Sequence, residues 1–212
     1  MDRRLFLAAV LLAGTTAVTA IAQTPPAAPP TRVRGTIAAL DGNTLSVKSR
    51  DGQTMEIMLK DPVAVASVKK VELSEIGPNT FIGTATKTGA DGKMTALEVL
   101  VFPEAMRGTG EGFYPWDLEP GSMMTNGTVK GAVTASSGRE LTVTFKDKSD
   151  PPKEGSNTVY VPPGTPIVTF APASRDDLKP GAPVFLIAMK TPEGKLMAAR
   201  VTVGKDGVAP PM

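Results

Sequence analysis

The chain has 212 residues, with 23 Lys and Arg against 21 Asp and Glu, and no His or Cys. That composition excludes disulfides, thiol chemistry and an N-terminal lipidated cysteine, and it removes the imidazole needed for Ser-His-Asp or Cys-His nucleophiles. Zinc and copper(II) sites would lack imidazole and thiolate ligands, and the near-neutral charge carries no signature of nucleic acid or anionic membrane.

Residues 1–22 read as an export signal. Arg3 and Arg4 supply the positive start, residues 5–21 are apolar, and Ala20-Ile21-Ala22 is a small-x-small cleavage site before Gln23. The apolar stretch is too short for a membrane anchor and no stop-transfer charges follow, so no transmembrane segment is expected after cleavage. Arg3-Arg4-Leu5-Phe6-Leu7 resembles the twin-arginine signal. Two Arg also suit the general secretory route, and both stay open. Removal of 1–22 takes Arg3, Arg4 and Asp2, leaving 190 residues with 21 basic and 20 acidic side chains. A periplasmic or secreted location follows.

Residues 23–32 form a Pro/Ala tether, expected to be extended and unpacked. From Val33 the chain alternates. Val33, Gly35, Ile37 and Ala39 share one strand face and Arg34 and Thr36 the other; Asp41-Gly42-Asn43 signals a hairpin into Leu45 and Val47. Asp51-Gly52 turns into Met55, Ile57 and Leu59, and 63–68 reads as a further short strand. Residues 73–77 make one helical turn ended by Gly77. Residues 80–87 and 93–102 are strands joined by a turn at 89–92. Short strands at regular spacing with Gly turns describe a small barrel or sandwich.

The pattern recurs beyond residue 126. Val129, Gly131 and Val133 lie 96 positions past Val33, Gly35 and Ile37, as Leu141 and Val143 do past Leu45 and Val47. Residues 178–181 echo 75–77. Ala198, Val201 and Val203 lie 102 positions past Ala96, Val99 and Val101, the added length being assigned to a polar loop at 146–157. Gly35 and Gly131 fall inside strands, where glycine marks a bulge or sharp bend. These observations predict an internal duplication. The expected class is all-β: two tandem small OB-like β-barrels over 33–102 and 127–204, an ordered linker over 103–126, and a frayed tail over 205–212. The layout resembles exported bacterial proteins built from small β-barrel domains of unknown function. That resemblance covers about 31–204 and implies architecture and export, with no catalytic residue.

The linker holds the only Trp and a run of Gly and Pro. Phe113, Tyr114 and Trp116, with Asp117 and Glu119, are the candidate ligand-binding residues, as a stacking surface for a sugar or an extended peptide. The competing reading makes the aromatics a plug between barrels, with Trp116 buried and its indole N–H paired to a backbone carbonyl; truncation to Ala would then cost roughly 3–5 kcal/mol. Asp117 with Glu119, or Glu104 with Glu111, would suit two-carboxylate glycoside cleavage, but surface acids of this spacing are ordinarily solubilising. Gly108-Thr109-Gly110-Glu111-Gly112 lacks the Lys-Ser/Thr ending of a phosphate loop. Met106, Met123 and Met124 raise a Cu(I) thioether site, although adjacent Met on a strand point to opposite faces. The sequence thus points to a non-catalytic exported binding or scaffolding protein of the bacterial envelope, with no cofactor, no metal and no nucleic acid. Its partner would be an envelope protein or glycan; the alternatives are a carboxylate enzyme on cell-wall sugars and a metal-handling accessory. N-terminal sequencing of envelope-fraction material is expected to begin at Gln23; an intact Met1 in the membrane pellet contradicts this.

Overall fold

The computed structural model describes residues 29–135 and 138–211. The expected export signal (1–22) and most of the tether (23–28) lie outside the described residues. Among those described the fold is all-β, as expected, with no α-helix. The strands are β1 (Thr31–Asp41), β2 (Thr44–Ser49), β3 (Thr54–Lys70), β4 (Phe81–Thr88), β5 (Met94–Val101), β6 (Gly112–Pro115), β7 (Met123–Ala135), β8 (Gly138–Lys146), β9 (Glu154–Val161), β10 (Ile167–Pro172), β11 (Pro183–Lys190) and β12 (Leu196–Val203). Single 3-10 turns occupy Leu73–Glu75, Glu104–Met106 and Arg175–Asp177. The first is the helical turn read from the sequence.

Hydrogen-bonded pairing closes β1, β2, β3, β12 and β11 into a five-stranded barrel. β1 pairs antiparallel with β2 and β11, β2 with β3, and β11 with β12, and the parallel pair β12–β3 completes the circuit. Its interior holds Val33, Ile37, Leu45, Val47 and Ile57, the inward positions given by period-2 alternation, with Leu186 and Val201 from the far end of the chain. Five further strands follow a second circuit: β4–β7–β8–β9, then the short parallel pair β9–β5, and back to β4. Its core includes Ile82, Val99, Val129, Leu141 and Val159. After each of two 3-10 turns an apolar residue enters a core: Ile76 the second circuit, Leu178 the barrel.

This pairing departs from two side-by-side barrels. The strands of 33–102 do not close on themselves; β1–β3 are completed by β11 and β12, while β4 and β5 join β7–β9. Alternation tells a strand which face to bury and is silent on which neighbour it meets, so interchangeable hairpins can trade places. β10 stitches the circuits together, antiparallel to β3 with Phe170 opposite Val68, and parallel to β5 with Ile167 opposite Val99. Between them lies a third apolar layer of Val68, Phe81, Leu100, Phe102 and Val168.

Smaller expectations also change. Residues 54–70 form one continuous strand, because the first part pairs with β2 and the second with β10. Residues 154–157 of the expected polar loop belong to β9. The linker is ordered in part by β6, which pairs with β7. Within the expected tail, Pro210 is buried and Val208 packs on the layer between the circuits.

The strand glycines do not share one environment. A bulge follows the pair Ile37–Val47 in β1, and another follows Val129–Val143 in β7. Gly35 and Gly127 each lie two residues before the bulged pair, whereas Gly131, the position 96 residues past Gly35, lies beyond it. A Cβ on Gly35 would be driven into the Lys48 carbonyl, and one on Gly127 into the Thr144 carbonyl, whereas one on Gly131 meets nothing within 4 Å. Gly35→Ala and Gly127→Ala are each expected to cost about 1–3 kcal/mol in denaturant unfolding, and Gly131→Ala about 0.5 kcal/mol or less. Equal effects at 127 and 131 would contradict this register.

Candidate functional site

The site starts from β6. Its pairing with β7 sets Tyr114 opposite Met124 and Phe113 opposite Thr125. Successive residues on a strand face opposite ways, so Tyr114 and Trp116 share one side and Phe113 takes the other. Phe113 lies against Phe145, with ring centroids 6.0 Å apart, and is 40% exposed. The chain after β6 is fastened by Ser122: the Trp116 N–H donates to its carbonyl at 2.8 Å, and its buried hydroxyl donates to the Glu119 carbonyl at 2.8 Å. This fixes the indole.

Trp116 is half-buried. The Arg32 guanidinium stacks over its ring, 4.0 Å from the centroid, and Tyr114 meets it edge-on at 6.1 Å. Arg34 lies between two aromatic rings, 5.5 Å from Trp116 and 5.1 Å from Phe185, with its side chain 9% exposed. Asp117 binds both cations, at 2.9 Å to Arg34 and 3.6 Å to Arg32. Adjacent Trp and Asp thus hold the two outward arginines of β1, through cation–π contacts worth about 0.5–2 kcal/mol each and one close ion pair. The expected indole hydrogen bond is not made: Trp116 Nε1 is buried with no partner among the described residues. The ring is held from its face by Arg32, and no carbonyl reaches its edge.

Trp116 and Tyr114 line a cavity of about 430 Å³ between the barrel and the second circuit. Leu100, Phe102, Met124, Phe170 and Phe185 supply most of its wall, with Met106 at one side. Buried Asn126 closes the floor, its Nδ2 donating to the Thr109 carbonyl at 3.1 Å and to the Tyr114 hydroxyl at 3.3 Å. The Asn126 Oδ1 has no partner among the described residues and packs against Gly83, where a Cβ would collide with it. Burial pushes the Tyr114 phenol up, and the Arg32 charge partly offsets that.

The structure therefore brings together three of the five sequence candidates, Tyr114, Trp116 and Asp117. Phe113 faces away, and Glu119 pairs with Lys87 at 3.2 Å. The other acids also have separate partners: Glu104 with Arg107 at 2.6 Å, and Glu111 accepting the Lys146 N–H at 3.1 Å. Met106 and Met124 share the cavity wall, while Met123 is not part of it. Sequence reasoning missed Arg32, Asn126, Phe170 and Phe185. A signal existed in runs that break alternation: β4 buries six residues in succession, and β11 buries Val184, Phe185 and Leu186, the mark of strands covered on both faces.

Glu98 is the most perturbed group. It is 3% exposed, its Oε1 has no partner among the described residues, and burial pushes its carboxyl from 4.5 up to about 7 against the pull of Arg34 and Arg50. No protein-family model, curated protein or solved structure matches this chain.

A raised acid pKa means the folded state holds a proton that the unfolded chain has released. The stability tied to Glu98 is then fully present below pH 4.5 and is lost as pH rises through about 7. The loss amounts to about 3 kcal/mol. With no His in the chain, no other side chain ordinarily titrates in that window. Chemical denaturation from pH 5 to 8 is expected to show falling stability, and Glu98→Gln to flatten the slope and stabilise the protein at pH 8. An unchanged slope in Glu98→Gln contradicts the assignment.

Proposed function

We propose that this chain is a non-catalytic, exported binding protein of the bacterial envelope, and that the cavity beside Trp116 is its ligand site. The observation that carries the reading is the cavity itself. An apolar, aromatic-walled space of about 430 Å³, bordered by a few fixed polar groups, has the size and composition of a small-molecule site. Export rests on Arg3, Arg4 and Ala20-Ile21-Ala22.

In this reading the two circuits are OB-like barrels descended from one duplicated unit whose copies exchanged their C-terminal hairpins. Three correspondences support it. β1 and β7 share the bulge and the obligatory glycine two residues before it. Ile76 and Leu178, 102 positions apart, each enter the core of the circuit that contains the other half's first strands. Residues 66–70 pair with 168–172, segments also 102 apart, so that 66 faces 172 and 70 faces 168, as a two-fold axis through Val68 and Phe170 requires. The ligand site then sits beside that axis, at an interface between barrels, where such sites concentrate.

The test is titration of the mature protein with N-phenyl-1-naphthylamine, a neutral apolar fluorophore. One saturable site per chain is expected, with quenching of Trp116, and Trp116→Ala is expected to weaken binding about tenfold while costing only about 1–2 kcal/mol in stability, since the ring is not fully buried. Absence of a saturable site overturns the proposal.

A further inference from the structure

The charges around the cavity define its ligand more closely. Among the described residues, those of its lining that carry charge are Arg32, Lys148 and Arg200, all cations, with no carboxylate. Arg200 and Lys148 make no ion pair among the described residues. Arg32 shares its counter-charge: Asp117 lies closer to Arg34, at 2.9 Å against 3.6 Å, and is itself half-exposed. The Arg32 guanidinium face is held against Trp116, which leaves its in-plane N–H groups as a pre-oriented fork, the geometry suited to a carboxylate, sulfonate or phosphate. Beyond this rim the walls are apolar: Leu100, Phe102, Met124, Phe170 and Phe185.

We propose that the cavity takes an amphipathic anion, its apolar body among these side chains and its acidic head at Arg32 and Arg200 with Lys148 nearby. This rests on the reading of the cavity as the ligand site and adds the chemistry of what enters. At roughly 30 Å³ per water-sized group, the space holds on the order of a dozen such groups, the size of a medium-chain acid or a two-ring aromatic acid.

The probe pair is N-phenyl-1-naphthylamine and its sulfonate, 8-anilino-1-naphthalenesulfonate, which share an aromatic body and differ in charge. The sulfonate is expected to bind one site per chain about tenfold more tightly at low salt, the gap narrowing as salt screens the rim. Arg32→Gln and Arg200→Gln are each expected to weaken the sulfonate severalfold more than the neutral dye; Arg200 is exposed and makes no contact with Trp116, so its variant tests the charge without disturbing the ring. Decanoate should displace the sulfonate and decyltrimethylammonium should not. Equal affinity for the two dyes, equal weakening of both by the variants, or a sulfonate that decanoate fails to displace overturns the anion assignment while the cavity reading stands. Failure of the neutral dye to bind instead strikes the cavity reading itself.

Discussion

The structure depends on one constraint: neither half of the chain closes its own circuit of strands. β1–β3 end with an open edge that only β11 and β12 complete, and β4 and β5 find their partners in β7 and β9. An exposed strand edge leaves a row of backbone donors and acceptors unpaired, so closure is strongly favoured whichever hairpin supplies it. With the strands paired across the halves, the outer faces of β4, β5 and β10 do not point to water. They meet in a layer built from Phe81, Leu100, Phe102 and Val168.

That layer explains the unusual polar groups. Arg34 projects from the outward face of β1, which in an isolated barrel would be solvated, and here lies between Trp116 and Phe185. Glu98 is caught on β5, with a carboxyl that holds its proton to about pH 7. Buried charges persist only when neighbours compensate them; Asp117 does this for Arg34, and protonation does it for Glu98. The 103–126 segment acts as a clasp: β6 adds an edge to β7, and Trp116 with Asp117 reaches across to β1. The cavity is the space this clasp leaves uncovered.

Much of the local structure was legible from alternation and turn residues. Val33, Ile37, Leu45, Val47 and Ile57 are inward as read, and Gly42 and Gly92 sit at positive φ in the turns assigned to them. The partner of each strand was not legible, because a period-2 pattern carries no address. Nor was it legible that Gly127, and not Gly131, shares with Gly35 a close approach to a carbonyl, since the two positions differ by an even number and lie on the same face of the alternation. At the site, Trp116, Tyr114 and Asp117 were legible as rare residues in an odd segment. Arg32 and Phe185 were not, since their proximity exists only after the hairpins cross.

Strand exchange is the central claim, and interstrand nuclear Overhauser effects test it most directly. In the intact protein, cross-strand contacts are predicted between Val33 and Leu186 and between Ile82 and Gly127, the partners across β1–β11 and β4–β7. Contacts joining β1 to β4 in their place would mean that each half closes on itself, and would contradict the account.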